Sequence, residues 1–211
     1  MRARRKALMI GVIDYGLGNV QAFLNIFSKY SIPCIRVQSK GDLALATRLI
    51  LPGVGSFDEA MAMLDDSGLR QALDYAVLQK KIPVLGICVG MQMMAASSEE
   101  GRATGLSWFD ACVKKISTPC RNSYPLPHMG WNQLTLAKKH PLFDGLSTTP
   151  RFYFLHSYYC HTPNQSQVLA HTDYANSFPA VLVKDHIVGI QCHPEKSHQD
   201  GERLLLNFAN Y

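Results

Sequence analysis

Pro83-Val84-Leu85-Gly86-Ile87-Cys88-Val89-Gly90-Met91-Gln92 begins as a short apolar run, passes through Gly-Ile-Cys-Val-Gly and continues into good helix formers as far as Ala96. That order predicts a buried strand, a sharp turn and a helix over 91–96. Glycines two residues before and after Cys88 suit a strand-to-helix elbow, where the nucleophile sits in a strained backbone conformation and neighbouring side chains would clash. Such a turn lifts the sulfur above the sheet edge, near the positive end of the following helix, which favours thiolate. A buried structural cysteine in a glycine-rich turn would give the same local pattern, so a partner base has to decide between the two.

Upstream of the elbow, residues 8–13, 32–37 and 48–51 read as three short strands. A helix with Val20, Phe23, Leu24 and Phe27 on its apolar face follows the first, and helices over 58–64 and 69–79 follow the third. Strands separated by helices predict a parallel sheet covered on both faces. Gly16-Leu17-Gly18 invites a dinucleotide-binding reading, but the third glycine and the distant acidic residue are missing, so a tight turn is the simpler account. Beyond Gly101 the helical periodicity fades. Strand-like runs at 111–116, 133–136, 152–160, 167–170, 180–183 and 187–191 replace it, extending the sheet with antiparallel strands or forming a small second one. Leu204, Leu205 and Phe208 give a closing helix over 201–209 its core stripe. The fold class is α/β, a mostly parallel central sheet with helices on both faces and a small antiparallel extension.

The chain has 211 residues, 47% hydrophobic and 18% charged, and no apolar run of membrane-spanning length. Its net charge of +5 loses its meaning once located: Arg2, Arg4, Arg5 and Lys6 supply four of 21 basic residues, leaving 17 against 16 acidic ones. A nearly neutral body carries no nucleic-acid footprint. Residues 1–7 read as a basic, flexible leader and 8–211 as a single domain, because the apolar stretch after the leader is too short for a secretory signal and lacks a cleavage site. Six scattered cysteines without a C-x-x-C pair or zinc spacing imply a reducing, cytoplasmic setting and no metal.

A thiolate nucleophile needs a base and a group that orients it. Val188-Gly189-Ile190-Gln191-Cys192-His193-Pro194-Glu195-Lys196 supplies both. His193 emerges where the last strand ends, near the same carboxyl edge as the elbow, and Glu195 folds back across a proline towards the second imidazole nitrogen. Cys192, its neighbour on an extended chain, points away. Among the other histidines, His128, His140 and His171 lie in turns or strands without a carboxylate, and His161, His186 and His198 read as solvated loops. An oxyanion needs amide donors. The Val89 N–H at the helix start is one, and Val54 or Gly55 in the Pro52-Gly53-Val54-Gly55 turn another, in a peptide that glycine neighbours would allow to flip.

The elbow together with His193-Pro194-Glu195 resembles the class I glutamine amidotransferases, which hydrolyse the side-chain amide of glutamine through a Cys-His-Glu triad. Asp14-Tyr15-Gly16-Leu17-Gly18-Asn19, Pro52-Gly53-Val54-Gly55, Pro127-His128-Met129-Gly130-Trp131-Asn132, Phe154-Leu155-His156-Ser157-Tyr158 and His193-Pro194-Glu195-Lys196-Ser197 narrow the likeness to the glutaminase subunits of imidazole glycerol phosphate synthases. The resemblance implies Cys88 as nucleophile, His193 as base and Glu195 as its orienting group. It sets Gly53, Val54, Gly55 and Val89 around the oxyanion, and Gln92, Glu100 and the backbone of His156, Ser157 and Tyr158 around L-glutamine. It also implies a heterodimer with a (β/α)₈ cyclase subunit that receives ammonia for histidine biosynthesis, with Asn19, Trp131, Asn132 and Lys196 towards that interface, and no cofactor.

Two positions depart from the family pattern: Ser107 stands where a third glycine is usual, and Cys192 where phenylalanine is usual. With Ser197-His198 they are similar to related amidotransferases that serve a cyclase-like partner in surface-polysaccharide sugar modification, the alternative acceptor for the same glutaminase chemistry. A stand-alone gamma-glutamyl hydrolase would use the same elbow without interface residues, and a non-catalytic interaction module would have no need of the triad.

Overall fold

The computed structural model describes residues 7–118 and 123–211, so the expected leader, Ala7 excepted, and Cys120 lie outside the described residues. The first half alternates as its apolar runs predict, through β1 (Ile10–Ile13), α1 (Val20–Lys29), β2 (Cys34–Val37), α2 (Lys40–Leu45), β3 (Arg48–Gly53), α3 (Phe57–Asp66), α4 (Arg70–Asp74), β4 (Val84–Cys88) and α5 (Val89–Met93). Short strands follow: β5 (Ser97–Ser98), β6 (Cys112–Lys115), β7 (His128–Gln133), β8 (Thr135–Leu136), β9 (Arg151–His156) and β10 (Tyr158–His161). Then come β11 (Val168–Tyr174), β12 (Asn176–Lys184), β13 (Ile187–Ile190) and α6 (His198–Ala209).

Eight strands form the central sheet in the order β2-β1-β3-β4-β13-β12-β11-β8. The five from β2 to β13 are parallel, and the last three continue the sheet antiparallel. The chain reverses its direction of travel across the sheet after β2. Right-handed crossovers therefore place α1 on one face and α2 to α4 on the other. The Lys29–Glu202 ion pair, 2.8 Å, ties α6 to α1 on the first face. Strands buried on both faces should be apolar throughout, and every residue of β1, β4 and β13 is buried. Two small sheets complete the fold, β10-β6-β5 and the antiparallel pair β7-β9. Both expected arrangements of the late strands thus occur.

Several elements differ from the sequence reading for identifiable reasons. The elbow helix starts at Val89 and ends at Met93, short of the expected Ala96, because a returning segment takes over its carbonyls. Leu106 N–H donates to Met93 O at 2.7 Å and Trp108 N–H to Met94 O at 2.8 Å. The unexpected α2 is set by Ser39 and Asp42, whose side chains each accept a hydrogen bond from the other's backbone N–H. Helix 69–79 is α4 prolonged by one π turn, Tyr75–Gln79. The single strand expected over 152–160 breaks at Ser157 into β9, which pairs with β7, and β10, which pairs with β6.

Candidate active site

Cys88 closes β4 with φ 55° and ψ −113°, a conformation a non-glycine residue holds only when its surroundings impose it. The surroundings do so by direct backbone contact. A Cβ on Gly90 would lie 1.9 Å from the Leu51 carbonyl oxygen, and one on Gly53 would lie 2.4 Å from the Gly90 nitrogen. Glycine at both positions lets β3 and the start of α5 touch.

His193 follows β13, the strand beside β4. Its N–H donates to the Tyr153 carbonyl at 2.8 Å, and its carbonyl accepts the Ser197 hydroxyl at 2.5 Å. Ser197 Oγ in turn accepts the Tyr153 N–H at 2.9 Å, so the imidazole is carried on a backbone clamped to β9. Glu195 lies in the 3₁₀ turn Pro194–Lys196 and places Oε1 2.8 Å from His193 Nδ1. A carboxylate only accepts, so Nδ1 carries a proton and Nε2 is the nitrogen left for the Cys88 sulfur. Burial opposes charge on this imidazole, but the bonds to Cys88 and Glu195 and their negative charge overcome it and lift its pKa to about 10. An imidazolium beside sulfur is the resting pair this favours. Glu195 Oε2 is buried and has no hydrogen-bond partner among the described residues.

A cavity of about 280 Å³ opens over the sulfur. Its walls are Val54, Gly55, Cys88, Val89, Gln92, Glu100, Pro127, Leu155, His156, Ser157, Tyr158, His193 and Lys196. It lies at the carboxyl ends of the parallel strands, where doubly wound sheets bind their ligands. A nucleophile, a buried base with an orienting carboxylate and amides beside one cavity can carry out acyl transfer from an amide or ester.

The family model described as Glutamine amidotransferase class-I matches residues 11–210. The chain belongs to this family. Two curated relatives named Imidazole glycerol phosphate synthase subunit HisH are each 46% identical. The protein from Leptospira interrogans aligns over 96% of this chain and 100% of its own length, and that from Bdellovibrio bacteriovorus over 95% and 99%. Solved structures share the fold at much lower identity. "Structure of PurLQS from Thermotoga maritima" has a TM-score of 0.75 at 16% identity, covering 97% of this chain and 99% of that one. "Crystal structure of glutamine amidotransferase" has 0.70 at 18%, covering 96% and 99%.

In this amidotransferase Gly53 pairs in register with Cys88, and Val54 and Gly55 follow it into the cavity wall, with Gly55 at φ 83°. Val89 opens α5 on the other side of the sulfur. Gln92 is buried, and both amide hydrogens are committed, to Tyr158 O at 2.9 Å and Gln191 Oε1 at 3.2 Å. Glu100 reaches the cavity while its Oε2 accepts the Phe57 N–H at 2.9 Å, fixing the carboxylate to the start of α3. Lys196 lines the mouth with Nζ 5.7 Å from the Tyr153 ring.

The four residues expected towards a partner divide. Trp131 is 40% exposed, stacked on His198 with ring centroids 5.1 Å apart, and Met129 beside it on the same face of β7 is 62% exposed. Asn19 caps α1 through Ala22 N–H and borders a small cavity shared with His193 and Glu195. Asn132 is held from within the chain. It lies on the opposite face of β7 from Trp131 and hydrogen-bonds within the chain, to Asp173 O at 2.8 Å and His128 Nε2 at 3.2 Å.

Three nearby residues escaped the sequence reading. Gln191 is fully buried with Nε2 3.7 Å from Cys88 Sγ, and its only signal was a polar side chain ending an apolar strand. Tyr15 donates its hydroxyl to the Pro52 carbonyl at 2.8 Å, steadying the residue before Gly53. Burial and then Cys88 push its pKa up, so it stays a phenol. His128 lies in a strand without a carboxylate, as read, but its burial and its pairing with His156 at 3.0 Å were not foreseen. Two histidines read as solvated are engaged as well: His198 in the Trp131 stack and His186, whose ring nitrogen lies 2.7 Å from Val77 O.

Proposed function

We propose that this chain, as a single amidotransferase domain over 8–211, is the glutaminase subunit of an imidazole glycerol phosphate synthase. It hydrolyses L-glutamine to glutamate and ammonia and hands the ammonia to a (β/α)₈ cyclase subunit in the cytoplasm. The observation that carries the reading is the meeting of Cys88, His193 and Glu195 at one sheet edge, in a chain whose full-length relatives bear that subunit's name.

In the derived mechanism Cys88 Sγ attacks the carboxamide carbon. The amides of Val89 and the Gly53-Val54-Gly55 turn face the oxygen that becomes negative. His193 then gives its Nε2 proton to the departing nitrogen. Ammonia leaves and a glutamyl thioester remains. Water attacks that thioester with His193 taking its proton; the C–S bond breaks, glutamate is released and the imidazolium beside a freed sulfur is restored. Glu195 holds the imidazole in one tautomer and stabilises its charge. Gln92, Glu100 and the backbone of His156, Ser157 and Tyr158 hold the amino-acid end of the substrate.

The outer face of the β7–β9 pair supports the partner assignment. Met129, Trp131 and Leu155 are exposed there, and Leu155 also borders the cavity, so a subunit seated on that face would cover the mouth of the site. Lys196 lines the same cavity with its Nζ over the Tyr153 ring, and Asn19 borders the small cavity beside His193 and Glu195. The test is glutamine hydrolysis by the chain alone and with its co-expressed cyclase subunit. Stimulation by the partner, abolished in Cys88→Ser, is expected. Steady hydrolysis of gamma-glutamyl peptides without a partner would count against the assignment, and full activity in Cys88→Ser would end it.

A further inference from the structure

Two buried histidines outside the triad join the β7 edge to the wall of the substrate cavity. His128 on β7 and His156 on β9 are register partners. His128 Nδ1 lies 3.0 Å from His156 Nε2, and His156 Nδ1 lies 2.8 Å from the Tyr158 carbonyl. At the other end Asn132 Nδ2 lies 3.2 Å from His128 Nε2.

The direction of every bond in this chain is forced. Tyr158 O can only accept, so His156 Nδ1 donates and its Nε2 must accept from His128 Nδ1. Starting from Asn132 gives the same answer. Its Oδ1 accepts the Gln133 N–H at 2.8 Å and its Nδ2 also donates to Asp173 O, which fixes the amide and leaves a donor facing His128 Nε2. Both ends therefore require neutral rings protonated on Nδ1. A proton added to either ring would set two N–H groups face to face. Stacking holds the first ring in place, with Tyr174 at 4.1 Å and Phe154 at 4.9 Å between centroids.

The terminus of the relay matters because the Tyr158 carbonyl also accepts Gln92 Nε2, and Ser157 and Tyr158 line the cavity over Cys88. We propose that His128 and His156 are positioning residues that hold the 156–158 segment in its substrate-binding form and tie that form to the placement of β7. The substrate is taken to be glutamine, so this inference rests on the functional reading above.

The first measurement is long-range ¹⁵N correlation of the imidazoles in the whole chain at pH 7. Both rings are expected neutral and protonated on Nδ1, and an Nε2–H tautomer or an imidazolium at either position overturns the relay whether or not glutamine is the substrate. The second is L-glutamine affinity in a Cys88→Ser background. His128→Phe keeps the stack but neither bond and should weaken binding about tenfold, a hydrogen bond's worth. His128→Asn restores the donor to His156 and should return affinity to within about threefold of the parent. Unchanged affinity in His128→Phe overturns the positioning role. Absence of glutamine binding in the parent itself would overturn the functional reading, and with it the role assigned to these two residues, while leaving the tautomer result intact.

Discussion

His193 caps the 3₁₀ turn that carries Glu195, with Glu195 Oε1 2.8 Å from His193 Nδ1 across a single proline. Base and orienting carboxylate therefore move as one body, and the distance that catalysis must control is the one from that body to Cys88. Replacing the carboxylate keeps the turn and removes the charge. In Glu195→Gln the imidazolium loses the carboxylate's charge, so the His193 pKa falls from about 10. We expect kcat/KM for partner-stimulated glutamine hydrolysis to drop by roughly 10²–10⁴-fold, as for loss of the orienting acid in other triads. The alkaline limb of its pH profile should move to lower pH. A profile unchanged in shape would place the carboxylate outside the proton path.

The strained backbone at Cys88 gives a prediction of opposite sign for stability and activity. Positive φ with a side chain costs about 1–3 kcal/mol, and glycine does not incur it. Cys88→Gly should abolish glutaminase activity and raise the urea midpoint, a gain of up to about 1 kcal/mol in unfolding free energy after the lost sulfur contacts are discounted. A lower midpoint would show that the sulfur's packing outweighs the strain.

Backbone contact between β3 and α5 predicts the reverse. Gly90→Ala must push its methyl into the Leu51 carbonyl oxygen, 1.9 Å away, with no flexible side chain to yield. A loss of at least about 3 kcal/mol in denaturant unfolding is expected, the scale of severe overpacking. Near-neutral behaviour would mean the two segments separate readily.

Acid should weaken the fold through the paired histidines. Burial depresses His128 to about 4 and, chiefly through burial, His156 to about 3, both below the ordinary 6.5. Between those values and 6.5 the unfolded chain binds more protons, so their contribution is present above pH 6.5 and drains away as pH falls through 4 and 3. His193 runs the other way. Its folded value is raised, so its contribution is whole below 6.5 and lost as pH rises through about 10. Urea midpoints followed from pH 7 to pH 4 should fall in the parent and fall less steeply in His128→Phe. Equal slopes would refute the assignment.

The exposed face of β7–β9 offers a mutation remote from the triad. Met129→Asp puts charge on an exposed position whose side chain faces away from His128. The chain should keep its thermal midpoint within about 1–2 °C, consistent with a surface change under 0.5 kcal/mol. It should nevertheless lose co-purification with the cyclase subunit and most of its stimulation. Retained stimulation would move the docking surface elsewhere.

What the sequence made legible was local. The elbow shows because glycines bracket Cys88 and the chain switches from strand to helix formers within ten residues, and Glu195 shows because it lies two residues from His193. The His128–His156 contact was illegible because it depends on the register of two strands about 28 residues apart, which no nearby residue announces. Strand alternation turns Asn132 to the opposite face of β7 from Trp131, and its bonds to His128 and Asp173 depend on pairings that no nearby residue announces. The α2 helix was missed although Ser39 and Asp42 carried its signature. Six residues offer too little periodicity to support it.

The meeting of Gly53 with Gly90 leaves little slack between the oxyanion turn and the nucleophile. Neither segment can slide past the other without backbone collision, so an adjustment of this turn on the proposed docking of a subunit would fall to the peptide planes at Val54 and Gly55. A change so slight in atomic displacement would escape detection by overall shape and register only in the amides themselves.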